Sequence, residues 1–529
     1  MDRRDFMQRG AALVAILATG SLTACGDDAD DATAAEGDTA EPTPTNTPTQ
    51  ATTEPAEAEP EPGGSIRVAL LASPTDTLNP ATTTGLLDYA VLYAVHDSLV
   101  LLQGDQFVLQ LAESIEPNAD GSEWTIQLRE GPTFHDGSPV TAADVLYSIG
   151  LHGASPNYAQ FFALIDLANM STPDDRTVVL PMTSPRSDLV ESVLGQLSIV
   201  VPDGFSDWGT NIGSGPFLLE SYEAGVGAVV TANPDYWGGA PSLERVEFIS
   251  IADATTKANA LTSGEVEYVS GIDAAAAATL DGADGVRLVV ADETTSVIRC
   301  FAFNRQQAPF DDPRVVQACK LAVDRQQLID VVTFGNATLG NDMPSLGFAG
   351  YPSDVPQRER DVEEATRLFA EAGVTEFTIR AADFVPGIVA SAELFAQNLA
   401  DCGVTATVDV GDPATYFSDF AQVLSTPCQS FYFINRPAIT LLTSYTGSSS
   451  PFNVFGSGDA DYDAALAAAV TTIDPTERET QLAALLETVR DQEGWLIWAF
   501  EQQIDASVEG LEGIDITQSV PSFATATLG

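Results

Sequence analysis

Three residues that could do acid–base or nucleophilic chemistry fall within four positions of one another: His135, Asp136 and Ser138, in the stretch LREGPTFHDGSPVTAADVLYSI at residues 128–149. A hydroxyl nucleophile needs its base within hydrogen-bond reach and a third group to orient that base. The surrounding residues argue against this. Gly131-Pro132 stops a strand and Asp136-Gly137 is a turn dipeptide. Thr141 stands at an N-cap with Asp144 three residues on, the spacing of a capping box, and Val140 and Val145 stand at the two positions of a hydrophobic staple. Pro139 and the turn separate Ser138 from His135. Every polar residue therefore has a structural task, and His135 reads as a turn or domain-packing residue.

Other chemical motifs fail on spacing. DADYDAALAAAV, from Asp459, has Ala464 and Val470 where a calcium loop needs Gly and Glu. His96, His135 and His152 are scattered, without the i, i+4 spacing of a zinc helix. No GxSxG, phosphate-binding glycine loop or GxGxxG is present. A catalytic centre, a metal and a cofactor are not expected.

The elements that would position a site come from periodicity. GSIRVALLAS, from Gly63, reads as a strand that becomes fully buried. EWTIQLRE, with Trp124, Ile126 and Leu128 on one face, is a half-buried strand. DPRVVQACKLAVDRQQLIDVV is a strong amphipathic helical region. VEEATRLFAEAG ends at Gly373, a C′ glycine, before the strand EFTIRAAD. GIVASAELFAQNLADCG followed by VTATVDVG repeats that pattern. Strands alternating with helices imply α/β domains, and 529 residues imply two or three of them.

Composition narrows the partners. The chain carries 76 Asp and Glu against 22 Lys and Arg, a formal charge of −54. Phosphate recognition needs clustered Lys and Arg, so no nucleic-acid partner is expected. The lysines are Lys257 and Lys320 alone. So acidic a surface suits high salt, where screening relieves self-repulsion; an ordinary acidic, soluble surface is the plainer reading.

The N-terminus reads as an address. Arg3-Arg4 before Phe6 resembles a twin-arginine export signal. The apolar run at residues 11–22 is too short to span a bilayer and has the length of a signal-peptide core. LTAC, ending at Cys25, resembles a lipobox whose cysteine is lipidated. Residues 1–25 are thus the signal, and residues 26–62 a Pro-, Thr- and acid-rich tether that cannot bury enough apolar surface to fold. Of the other cysteines, sequence proximity favours the pairs Cys402–Cys428 and Cys300–Cys319; free buried thiols are the alternative.

Several segments, in order, resemble the family 5 extracellular solute-binding proteins, the peptide- and nickel-type receptors of ABC importers. They are residues 111–149, residues 212–222 (IGSGPFLLESY), residues 232–253 (ANPDYWGGAPSLERVEFISIAD) and residues 301–330 (FAFNRQQAPFDDPRVVQACKLAVDRQQLID). Together they span nearly all of the chain from Gly63. The resemblance implies a two-lobed, periplasmic-binding-protein-like α/β fold of the three-domain, type II peptide-binding kind, with a hinge between the lobes. Residues 63–95, 213–297 and 497–529 would form lobe one, residues 96–212 a small inserted domain, and residues 298–496 lobe two. A monomer held by lipid at the outer face of the cytoplasmic membrane would capture an oligopeptide or similar solute and pass it to a permease. A surface hydrolase or a sensor on the same scaffold is the rival.

The resemblance also suggests where ligand sits. Peptide-binding relatives use a Trp-x-x-Asp segment against the ligand's amino group; FYFINRPAITLL, residues 431–442, places Tyr432 at the Trp position and Asn435 at the Asp position. Asn cannot neutralise a buried ammonium, and Arg436 beside it could pair with a carboxylate or phosphate, or else cap a loop or bridge to an acidic neighbour. Thr84 and Gly85 would offer hydroxyl and backbone groups, Asn453 would approach the cleft, and Phe303, Tyr432 and Phe433 would form apolar walls unless they serve the core.

Overall fold

The computed structural model describes residues 63–450 and 452–529. The twin-arginine segment, Cys25 and the tether lie outside the described residues. Among those described, no helix is long and apolar enough to cross a membrane.

Two sheets organise the chain. The first has seven strands in the order Val286–Val290, Ile504–Val508, Tyr268–Ile272, Ser65–Leu70, Arg245–Ser250, Gly227–Ala232 and Phe217–Glu223. Its central strand, Ser65–Leu70, runs parallel to both neighbours. Ile66 and Val68 are buried, then Ala69 and Leu70 together, which is the change from alternation to an apolar run legible in the sequence. The second sheet has six strands in the order Ala337–Leu339, Trp495–Glu501, Val297–Phe303, Cys428–Ile434, Glu376–Ala381 and Thr405–Val410. We call the bodies around these sheets lobe one and lobe two. The chain crosses between them twice, at residues 291–296 and 502–503.

A third, four-stranded antiparallel sheet is built from Ala112–Pro117, Glu123–Leu128, Thr177–Pro181 and Ser171–Asp174. Trp124, Ile126 and Leu128 face inward from it. The helix Ala142–Gly153 packs on this sheet. The buried side chains of this small domain and those on one face of the seven-stranded sheet form one continuous core, whereas the six-stranded sheet has its own. Continuity of packing favours the small domain and lobe one staying together when the lobes separate.

The amphipathic helical region at residues 312–332 is made of two helices, Pro313–Ala322 and Arg325–Val332. Asp324 breaks it: its carboxylate accepts the Gln327 amide at 3.0 Å and caps the second helix. Gly373 closes the helix Val362–Ala372 in the left-handed conformation, φ 70°, as its C′ position requires.

Candidate functional site

The stretch at residues 128–149 is scaffold. The Thr141 amide and hydroxyl both donate to the Asp144 carboxylate at 2.7 Å, while Val140 and Val145 are buried together. The Ser138 hydroxyl donates to Asp136 at 2.6 Å. The His135 ring is engaged elsewhere: Nε2 lies 3.1 Å from the Gly215 carbonyl, and Nδ1 accepts the Gly213 amide at 3.3 Å. It fastens the small domain to the segment that re-enters lobe one. No nucleophile–base pair forms here. His96 and His152 are buried, and desolvation pulls each down to about 4. Among the described residues no group of three His, Cys, Asp or Glu could hold a metal.

A cavity of about 220 Å³ lies where lobe one, the small domain and lobe two meet. Lobe one contributes the helix Leu86–Val95, whose Tyr89 and Tyr93 share a face at i, i+4 spacing, with ring centroids 6.0 Å apart. The Tyr89 hydroxyl is 2.7 Å from that of Tyr158 in the small domain, and the Tyr158 hydroxyl donates to the Thr83 carbonyl. Phe161 and Phe162 extend this wall. The C-terminal tail adds Gln518 and Ser519, the corner of the hairpin between Asp515–Thr517 and Val520–Ser522. Both corner residues have positive φ, 51° and 72°, the backbone of a type I′ turn. The Gln518 amide donates to the Gly195 carbonyl at 2.7 Å, tying the tail to the small domain.

Lobe two supplies the opposite wall. The strand Cys428–Ile434 presents Tyr432 and Phe433, and the helix Ala438–Tyr445 presents Thr440, Ser444 and Tyr445. Phe433 packs 4.7 Å from Tyr445 and 5.0 Å from Trp495, centroid to centroid. Between strand and helix stands Arg436. Its guanidinium makes one hydrogen bond among the described residues, to the adjacent Asn435 carbonyl at 3.3 Å, and no ion pair. Burial draws its pKa down to about 10, partly offset by the hydroxyls of Tyr445, Tyr93 and Tyr89. Among the described residues no Asp or Glu lines the cavity.

Of the eight residues proposed from sequence, Thr84, Tyr432, Phe433 and Arg436 line this cavity and four do not. Gly85 is the N-cap of the tyrosine helix; a side chain there would meet the Asp76 carboxylate at 2.5 Å, so its place is set by close packing. Phe303 lies inside lobe two, stacked on Phe310 at 4.8 Å. Asn435 is fully buried. It accepts the Ser345 amide at 3.0 Å and donates to the carbonyls of Glu293 at 3.1 Å and Leu346 at 2.8 Å. Asn453 braces its own loop through Gly447 and Ser457. Sequence reasoning missed Tyr89, Tyr93, Tyr445 and the Gln518–Ser519 corner; only the tyrosine pair carried a signal, its helical spacing.

The disulfide expectation is corrected. Cys300, Cys319, Cys402 and Cys428 are all free and buried. Cys300 and Cys428 stand on neighbouring strands but out of step: Cys300 opposes Phe431, and Cys428 opposes Phe303. Cys319 is inside the helix Pro313–Ala322, and Cys402 ends the helix Ile388–Asp401. Burial raises all four thiols, so they behave as small apolar side chains.

Comparison with known proteins agrees with this architecture. The glutathione-binding protein GsiB of Salmonella typhimurium is 26% identical over 84% of this chain and 91% of its own length. Among solved structures, HbpA2 from Haemophilus parasuis superposes with a TM-score of 0.79 at 21% identity, covering 88% of this chain and all of that one. AgaA of A. tumefaciens R10, in complex with agropinic acid, superposes with a TM-score of 0.67 at 26% identity over 87% of this chain and 96% of its own. The family model of the bacterial extracellular solute-binding proteins, family 5 Middle, matches residues 106–431, well over half of the chain. The two-sheet architecture, the cleft between the lobes and this match together make the chain a member of the bacterial extracellular solute-binding proteins of family 5.

Proposed function

We propose that the cavity between the lobes is where this substrate-binding protein of ABC-transporter type captures its solute, and that closure of the lobes on the solute is the state a membrane permease reads. The observation that carries the reading is a cavity walled by all three bodies at once, so that a ligand touching every wall stabilises the closed arrangement over the open one. Thr84, Tyr432, Phe433 and Arg436 make the contacts, with Tyr89, Tyr93 and Tyr445 beside them. The crossings at residues 291–296 and 502–503 are the hinge. We set the domain limits at the crossings, which moves the sequence-derived bounds by a few residues: residues 63–95, 213–290 and 504–529 as lobe one, residues 96–212 as the insertion and residues 297–501 as lobe two, because the strands Val297–Phe303 and Trp495–Glu501 belong whole to the six-stranded sheet. Lipid on Cys25, after twin-arginine export, tethers a monomer to the outer face of the cytoplasmic membrane and raises its effective concentration at the permease.

Family membership makes the chain a binder and not an enzyme, and the separate engagements of His135 and Ser138 leave a hydrolase without its catalytic pair. The test is a thermal-shift panel with small-angle scattering on each hit. A ligand at 100 times its dissociation constant adds about 2.7 kcal/mol of stability, and the radius of gyration should fall on binding. A solute that shifts the melt without compaction, or that is consumed over time, sinks the reading.

A further inference from the structure

Charge is partitioned oddly around the cavity. The chain has more than three acidic residues for each basic one, yet among the described residues no acidic one lines this cavity. Arg436, the one charged side chain among the described residues that line it, is also unusual among the arginines. Others that lack an ion pair are engaged: Arg129 donates to the Leu109 carbonyl at 3.1 Å, Arg287 to that of Leu511 at 2.7 Å, and Arg380 lies 4.1 Å over the Tyr416 ring. Among the described residues Arg436 has only the long bond to its neighbour's carbonyl. The guanidinium is half-buried at the cavity wall, with most of its five donors turned to the cavity and open to an anion.

We propose that the solute is an organic monoanion, a carboxylate on an aromatic or branched aliphatic body, with no free ammonium group. The assignment rests on the cavity being the capture site. The carboxylate meets Arg436 in a charge-assisted pair, with the Tyr93 and Tyr445 hydroxyls beside it as donors. Phe161, Phe162, Phe433 and Tyr445 take the body. An ammonium would find no carboxylate here. The tyrosine faces could in principle attract a cation, but Arg436 stands among them and repels it. One guanidinium, without a second cation, matches one negative charge better than the two of a phosphate monoester.

The test is titration calorimetry on the full chain with matched sets: 3-phenylpropionate, phenylalanine and phenethylamine; 4-methylvalerate and leucine; phenyl phosphate; and free and N-acetylated tripeptides. At least one deaminated acid should bind ten-fold or more tighter than its amino acid. Arg436→Gln should weaken that acid at least ten-fold, Arg436→Lys should restore part of the loss, and unliganded Arg436→Gln should melt no lower than the parent. Equal binding of amino acid and acid, an acid affinity indifferent to Arg436→Gln, a lower melt for that variant, or binding of no acid would each overturn the proposal. Preference for phenyl phosphate would overturn the carboxylate in favour of a phosphate ester. Free peptides that compact the protein where acids do not would sink the charge assignment while leaving the capture site intact; solutes that bind without responding to Arg436→Gln or Tyr93→Ala would sink both.

Discussion

Arg478 of lobe two reaches Glu191 of the small domain, Nη2 to Oε1 at 2.6 Å, and donates through Nη1 to the Ser187 carbonyl at 2.8 Å. The Ser187 amide in turn donates to the Val470 carbonyl at 2.8 Å. These bonds join the lobes without touching the cavity lining, so they act on closure alone. Arg478→Ala should leave the fold intact and weaken solute binding by about 1 kcal/mol, roughly five-fold, through a smaller closed population. Calorimetry beside a scattering profile of the free protein checks it. An unchanged affinity would mean that the closed state does not depend on this contact.

Asn435 offers a sharper test of what its position does. Both halves of its amide are spent on backbone groups, so Asn435→Asp would set a carboxylate against two carbonyl oxygens. We expect a loss of about 2–4 kcal/mol of stability and no gain of affinity for free peptides, read by chemical denaturation. A stable variant that newly binds peptides would place this residue at the ligand after all.

The pH dependence of stability has opposing parts. His152 is held neutral by burial, with a pKa near 4 against about 6.5 in an unfolded chain. The unfolded state takes the proton first, so stability is lost as pH falls from about 6.5 to 4, by at most about 3 kcal/mol. Asp88 and Asp97, raised by burial to about 6, act the other way: the folded state takes their protons first, and stability is gained as pH falls through the same window. His96, drawn down to about 4 in the same way, adds a second loss, so the two histidines lose about what the two carboxylates gain and the parent's melting temperature should be nearly flat between pH 4 and 6.5. His152 has an unpartnered Nδ1, stacks on Phe162 at 5.4 Å and makes one long hydrogen bond, Nε2 to the Ile199 carbonyl at 3.3 Å, so a phenyl ring fills its place with the loss of that bond alone. His152→Phe should therefore gain stability toward pH 4 relative to the parent. A parallel pair of curves would contradict a neutral buried ring.

The thiols make a simple prediction. None of Cys300, Cys319, Cys402 and Cys428 should react with a thiol reagent in the native protein, all four should react in denaturant, and reductant should not move the melt. Loss of stability on adding dithiothreitol would restore a disulfide.

Legibility of the site in the sequence divided along physical lines. Residues 128–149 could be read correctly because caps, staples and turns act over four or five positions. The ligand wall could not. The strand Cys428–Ile434 is buried on both faces, so alternation gave no facing for its side chains. Asn435 and Arg436 then diverge, one into lobe two and one into the cavity, and a single step in register separated the useful guess from the wrong one. Gln518 and Ser519 reach the site only because the tail hairpin lies against the tyrosine helix, a consequence of topology that no local pattern carries. Family resemblance supplied the fold and the order of segments, but it pointed to Gly85, Phe303 and Asn453 as much as to Thr84 and Tyr432.

The path of the tail has a consequence for biosynthesis. The strand Ser65–Leu70 emerges early, yet its sheet is finished only by Ile504–Val508, which fills the place between Tyr268–Ile272 and Val286–Val290. Lobe two, made in between, can complete its own sheet once Trp495–Glu501 has emerged. The lobe that begins translation is thus the last to close, with exposed strand edges over most of the ribosome's passage. Such a chain needs shelter during synthesis, and a truncation that drops the last two dozen residues should damage the half of the molecule made first.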